Sequence, residues 1–292
     1  MKWQIPAKTF LVGEYSAIAE ESAIILTTKP FFELSINRDE PHYDIHPHSP
    51  AGKFWQQKLL KMENLEWHDP YHGLGGLGAS SAQFLACYLA ACAHNTLQPN
   101  LNDLLADYYQ ASWSGEGLRP SGYDVIAQSQ RACVFINKKR KSITSFPWIF
   151  SNLSFLIVHT GIKLATHEHL KMTALPSSIQ QLSFIVDQTK HAFEQVDDLL
   201  LIQSVNHYHN ELQDLRLVHP NSLSLIEELK KNPHVLAIKG CGALGTDTLL
   251  IFTKIVNKVE LIELIQSMGL TLLATESQMT STTHTGLIDI QL

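Results

Sequence analysis

The chain has 292 residues, with 22 lysines and arginines against 28 aspartates and glutamates for a net charge of −6, and 45% hydrophobic, 17% charged and 9% aromatic residues. That length suits one large domain or two packed ones, and the composition excludes a disordered, collagenous or coiled-coil chain. The acidic balance argues against a dedicated nucleic-acid binder, which would carry a basic surplus.

Four cysteines, Cys87, Cys92, Cys133 and Cys241, show no CxxC and no zinc spacing, which predicts reduced thiols and a cytoplasmic protein. The start, MKWQIPAKTFLVGEYSA, has neither a secretory apolar run nor a cleavage site. No stretch approaches the roughly 20 apolar residues of a membrane span.

In chain order, residues 9–12, 23–27 and the alternating 31–36 read as strands. Residues 39–50 (DEPHYDIHPHSP) read as an exposed turn, and 51–65 as a surface helix. Residues 72–93 (HGLGGLGASSAQFLACYLAACA) place four glycines within six positions ahead of a run without breakers. This predicts a loop and then a helix that is apolar nearly all round, hence buried. Residues 102–112 form the next helix, capped by Asn100 or Asn102. A turn-rich SGEGLRPSGYD follows, and VIAQ leads to a strand at 133–136. Four consecutive basic residues, Lys138 to Lys141, precede Pro147. They read as a solvated loop at a boundary dividing the chain into domains 1–147 and 148–292. Beyond it come a strand at 153–158, helices at 178–198, 199–215 and 221–231, a strand at 235–238 with its hairpin partner at 248–252, a helix at 255–268 and two closing strands. This order predicts the α+β class, with helices layered on antiparallel sheet.

The segment GLGGLGASS can cradle an anion, because glycines admit positive φ and let backbone N–H groups turn inward beside the start of a helix. Taken alone it reads equally well as a flexible turn before a buried helix. The Gly-Lys-Ser/Thr of a Walker A loop is absent, and no strand and acid frame a dinucleotide fingerprint.

Three further segments accompany it: PAKTFLVGEYSAI at 6–18, PSGYDV at 120–125 and KGCGALGTD at 239–247. Together, in this order, the four resemble the GHMP small-molecule kinases, over Pro6 to about Phe252. The resemblance implies a two-part fold, with an amino-terminal half like ribosomal protein S5 domain 2 and a ferredoxin-like carboxy-terminal half. It also implies ATP held in the cleft by the glycine loop, Mg²⁺ as cofactor and a small-molecule acceptor. Gly13-Glu14-Tyr15 and the Asp247 ending of the last segment are similar to phosphomevalonate kinases. Residues 119–124 mix the phosphomevalonate and mevalonate kinase patterns, and Thr160-Gly161-Ile162-Lys163 with Thr166 is similar to mevalonate kinases.

The same resemblance implies the site. Lys8 and Asp124 are the catalytic pair, with the ammonium stabilising attacking or transferring oxygens and the carboxylate near the acceptor. The phosphates of ATP fall to Gly75, Gly76, Leu77, Gly78, Ala79, Ser80 and Ser81. The metal falls to Ser80 or Ser81, with Glu116 near by, since magnesium takes few protein oxygens. The acceptor falls to Glu14, Tyr15, Arg119, Ser121, Gly122, Lys163, Gly242 and Ala243, Arg119 and Lys163 being the cations suited to a phosphorylated acceptor. Leu244 and Thr246 stand where the family usually has glycine, and their side chains would narrow the approach to a ligand. Fifteen histidines, among them His42, His46, His48, His167, His169, His207 and His209, lack a zinc pattern and read as solvated.

The expected function is phosphorylation of 5-phosphomevalonate to the diphosphate. The alternatives are mevalonate kinase, another GHMP sugar or alcohol kinase, and a non-catalytic nucleotide-binding relative. A monomer or homodimer without nucleic-acid or membrane partners is expected.

Overall fold

A computed structural model describes residues 1–36, 44–58, 65–161, 179–242, 245–282 and 286–288. Strand β1 (Lys2–Val12) pairs antiparallel with β2 (Ala23–Ile36), which joins the two segments read separately in the sequence into one strand of 14 residues. Pro6 and Pro30 lack N–H donors, and both fall between Ile5/Phe32 and Ala7/Thr28, at the first of the two places where the ladder shifts register. The other edge of β2 takes two partners: β3 (Leu65–His68) along residues 33–36 and β4 (Cys133–Asn137) along residues 23–26. Strand β5 (Ser142–Phe146) extends the sheet from β4.

One expectation is corrected here. Helix α1 (Pro50–Gln57), capped by Ser49, ends well before residue 65, because Leu65-Glu66-Trp67-His68 alternates buried and exposed and Trp67 stacks on Phe32 with ring centroids 5.7 Å apart. The basic run is the turn of a hairpin between β4 and β5, with Lys139, Arg140 and Lys141 exposed as expected. Lys138 pairs with Glu20, Lys139 with Glu21, and Arg140 with Asp187.

Helix α2 (Ala79–His94) is buried over most of its surface, as its composition requires, and α3 (Leu101–Ser112) is capped by Asn100. The sequence reading did not find α4 (Tyr123–Ser129), whose seven residues are too few to show a helical period.

The second sheet contains β6 (Leu153–His159), β7 (Ala237–Cys241), β8 (Thr248–Lys254) and β9 (Thr271–Thr275) in the antiparallel order β7-β8-β6-β9. Helices α5 (Ile179–Gln195), α6 (Asp198–Asp214) and α7 (Pro220–Lys230) lie between β6 and β7 in the chain, and α8 (Lys258–Ser267) between β8 and β9. This is the ferredoxin-like arrangement and the α+β class expected. Of the two closing strands, β9 is described; residues 289–292 lie outside the described residues.

The sheets divide between Phe146 and Leu153, yet one hydrophobic core runs through both. Ile5, Leu11 and Phe84 belong to the same cluster as Phe155, Phe193 and Phe252. A smaller cluster fills the other face of the second sheet, where Leu156, Val158 and Ile251 meet Ile226 of α7 and Leu261 of α8. The four cysteines are free and buried. No described helix is long and apolar enough to cross a membrane.

Candidate active site

Lys8 projects from β1, and Asp124 stands in the first turn of α4, after Gly122 in the left-handed conformation. Their charges meet at 3.2 Å, with 10% of the Lys8 side chain and 32% of the Asp124 side chain exposed. A pair so enclosed is screened less than a surface pair, and its more open carboxylate faces solvent. Lys8 also lies over the Phe10 ring at 5.1 Å.

The glycine loop runs directly over this pair. The Lys8 N–H donates to the Leu77 carbonyl at 3.0 Å, so the strand and the loop share a hydrogen bond. Gly78 has φ +77°, and a Cβ there would meet Lys8 Cγ at 2.7 Å, so both the turn and the close approach require glycine. At Gly76 a Cβ would meet Asp247 Cβ at 2.8 Å and Thr248 Cγ2 at 2.9 Å, which seats the loop on the start of β8. Helix α2 therefore begins at a glycine cap whose first turn, Ala79-Ser80-Ser81, carries no acidic residue. Its leading N–H groups and the positive end of its dipole suit an anion.

The two serines part company. Ser81 is buried and donates to the Gly78 carbonyl at 3.0 Å, whereas Ser80 is exposed. The exposed hydroxyl is the one placed to meet a ligand. Among the described residues no group of three or more His, Cys, Asp or Glu forms a metal site. Glu116 is exposed in the loop after α3, and its backbone carbonyl accepts from Trp113 Nε1 at 3.0 Å; the structure does not bring its side chain to Lys8 or Asp124. A magnesium ion keeps most of its waters and phosphate ligands and takes few protein oxygens. The exposed Ser80 hydroxyl would be one of them, while the Asp124 carboxylate is paired with Lys8.

The residues expected to contact the acceptor divide in the same way. Ser121 and Gly122 precede Asp124 in the turn that opens α4, with Tyr109 donating to the Ser121 carbonyl at 2.8 Å. Arg119 pairs with Glu20 at 2.7 Å and stacks on the Tyr109 ring at 4.3 Å, and Lys138 shares the same Glu20 oxygen. The Lys138 hydrogen bond, together with the neighbouring charges of Lys138 and Arg119, holds the Glu20 carboxyl below its ordinary value. Tyr15 is buried. Glu14 is bound to the fully buried Lys239 of β7. Burial pulls the Lys239 ammonium down, but Cys241 and Glu14 outweigh it and hold it above the usual lysine range. Burial also pushes the Cys241 thiol up to about 11, so Glu14 is the charge that Lys239 answers at neutral pH. Gly242 has φ +88° and packs against Asp247. Thr246 is fully buried, so it does not narrow the cleft as its side chain suggested. Lys163, Thr166, Ala243 and Leu244 lie outside the described residues, as do His42, His167 and His169. His207 is exposed beside Glu211, and His209 is buried rather than solvated.

Sequence reasoning missed Gln128, which is fully buried behind the loop. It also missed the Lys239–Glu14 pair and the hydrogen bond that Lys138 Nζ donates to the Tyr109 hydroxyl at 2.8 Å. No signal in the sequence marks them, because each depends on strands and helices far apart in the chain.

No protein-family profile and no curated protein matches the chain. Solved structures do. Streptococcus pneumoniae phosphomevalonate kinase in complex with phosphomevalonate and AMPPNP superposes with a TM-score of 0.75 at 14% identity, covering 94% of this chain and 99% of that one. Methanococcus jannaschii mevalonate kinase gives 0.72 at 12% identity, covering 96% and 98%. The fold is that of the GHMP kinases. Lactococcus lactis galactokinase complexed with galactose shares this GHMP fold too, at 0.71 and 11% identity, covering 96% and 93%. The GHMP likeness thus extends over whole chains while the acceptors differ between the neighbours.

Proposed function

We propose that the chain is an ATP-dependent phosphotransferase that phosphorylates a small isoprenoid-precursor acid, 5-phosphomevalonate by its motifs. The observation that carries the reading is the Lys8–Asp124 pair, 3.2 Å apart and in contact with a glycine loop that opens a buried helix. Phosphoryl transfer asks a protein for alignment and for positive charge on the moving group, not for covalent chemistry. The N–H groups around Gly78 to Ser81 bind and orient the nucleotide phosphates. Lys8, enclosed by Phe10 and the loop, places its ammonium where the attacking and transferring oxygens gather charge. Asp124, steadied by Lys8, stands near the acceptor with its more exposed side: it would accept the proton of a hydroxyl acceptor, whereas the phosphate of 5-phosphomevalonate is already ionised and leaves it mainly an orienting role. A magnesium ion held by the phosphates and Ser80 would supply further neutralising charge.

Mevalonate is the second acceptor reading, and two observations favour it. A carboxylate placed as a base suits an alcohol, and Arg119, the cation expected to meet an acceptor phosphate, already carries Glu20. ADP release measured with mevalonate and with 5-phosphomevalonate in parallel decides between them. Turnover of the phosphorylated acceptor alone supports the first reading, and turnover of mevalonate alone replaces it with the second.

A further inference from the structure

Gln128 stands four residues after Asp124 on the same face of α4 and is fully buried. Its Nε2 donates to two carbonyl oxygens, that of Pro6 at 2.9 Å and that of Gly78 at 3.1 Å. Two acceptors on one side of the amide fix its orientation, since only the NH₂ group can serve both. Pro6 lies two residues before Lys8, in a stretch where the β1–β2 ladder shifts register. Gly78 is the cap of α2 and touches Lys8 from the other side. A Cβ there would lie 2.9 Å from Lys8 Cε and 3.0 Å from Gln128 Nε2. One amide therefore links the strand that carries Lys8, the turn that opens the anion-binding helix and the helix that carries Asp124.

Stability alone is a poor reason for this residue. Its Oε1 is buried and finds no hydrogen-bond partner among the described residues, a cost that an apolar side chain of the same length would avoid. We propose that Gln128 is a positioning residue for phosphoryl transfer, its amide setting the spacing between Lys8 and the phosphate-binding turn. This rests on the phosphotransferase reading. Nucleotide affinity comes from the loop N–H groups, which Gln128 does not contact, so its loss acts on turnover more than on binding.

The test compares wild type, Gln128→Met and Gln128→Glu by kcat, by nucleotide titration and by melting temperature. Gln128→Met keeps the length and removes the donor. It is expected to lower kcat at least tenfold while the ATP Kd moves less than threefold. Gln128→Glu faces two carbonyls with a carboxylate at neutral pH, and regains one donor when protonated. Its activity relative to wild type is expected to rise as pH falls. A folded Gln128→Met with kcat within twofold of wild type overturns the proposal, as does a Gln128→Glu whose pH profile parallels wild type. If Gln128→Met fails to fold, the Gln128→Glu profile decides. A wild type that binds nucleotide but turns over no acceptor removes the phosphotransferase reading and this proposal with it. An active wild type with indifferent variants removes this proposal alone.

Discussion

Lys8 is nearly enclosed and Asp124 about one-third exposed, so in the proposed phosphotransferase their charges would act on the transferring group more strongly than freely solvated ones. Lys8→Met and Asp124→Asn are each expected to lower kcat by about 100-fold or more, the scale of losing one electrostatic or acid–base partner. The ATP Kd should move only a few-fold, and steady-state kinetics with nucleotide titration separates the two effects. His209 offers a pH test independent of activity. Burial, with Lys230 and Lys239 near by, lowers its imidazole from 6.5 to about 4. As pH falls below about 6.5 the unfolded chain takes up a proton that the folded chain refuses. Stability is therefore lost between about pH 6.5 and 4, by up to about 3 kcal/mol. Urea unfolding at pH 7 and pH 4.5 should show this loss, and His209→Gln should lessen it. Lys8 and Asp124 were legible in the sequence through the segments around them. Gln128 was not, because a single polar residue in a short apolar stretch looks the same whether it is exposed or buried.

At the scale of elements, β1 is tied to the glycine loop by the Lys8 N–H, and the turn that follows β1 is tied to β7 by Glu14 and Lys239. The second tie crosses between the two sheets through charges that are almost wholly enclosed. Lys239→Met leaves Glu14 buried without its cation and should cost about 3–5 kcal/mol in urea unfolding. The double variant Glu14→Met with Lys239→Met should recover much of that loss, because packed apolar groups can replace a buried ion pair at little cost. Recovery of nothing would mean that the pair does more than neutralise itself. A long apolar run without breakers made α2 readable, α3 and the helices of the second half were read as well, and Asn100 was named as a cap of α3. Strand β3 and helix α4 were missed because they are too short for a period. The pairing of the basic turn between β4 and β5 was not legible, because the acids that balance three of its four cations, Glu20, Glu21 and Asp187, come from elsewhere in the chain.

Across the whole molecule, the GHMP fold persists at 11–16% identity to its solved neighbours, so little beyond four segments signals it in the sequence. Those segments are the ones that meet: β1 with the glycine loop, the glycine loop with Asp247, and α4 with Lys8. Their convergence follows from the core shared by both sheets, which holds the Asp247 turn under the loop. The acceptor is far less legible. Arg119 looked free to bind a phosphate and is instead engaged by Glu20, a pairing set by the packing of the first sheet. The most direct measurement is coupled ADP release by the purified protein with ATP and Mg²⁺, offered mevalonate and 5-phosphomevalonate, with Asp124→Asn as the comparison. The expected result is turnover with one acceptor that falls by about 100-fold or more in the variant. Turnover unchanged in Asp124→Asn, or none with either acceptor despite bound ATP, would contradict a phosphotransferase built on Lys8 and Asp124.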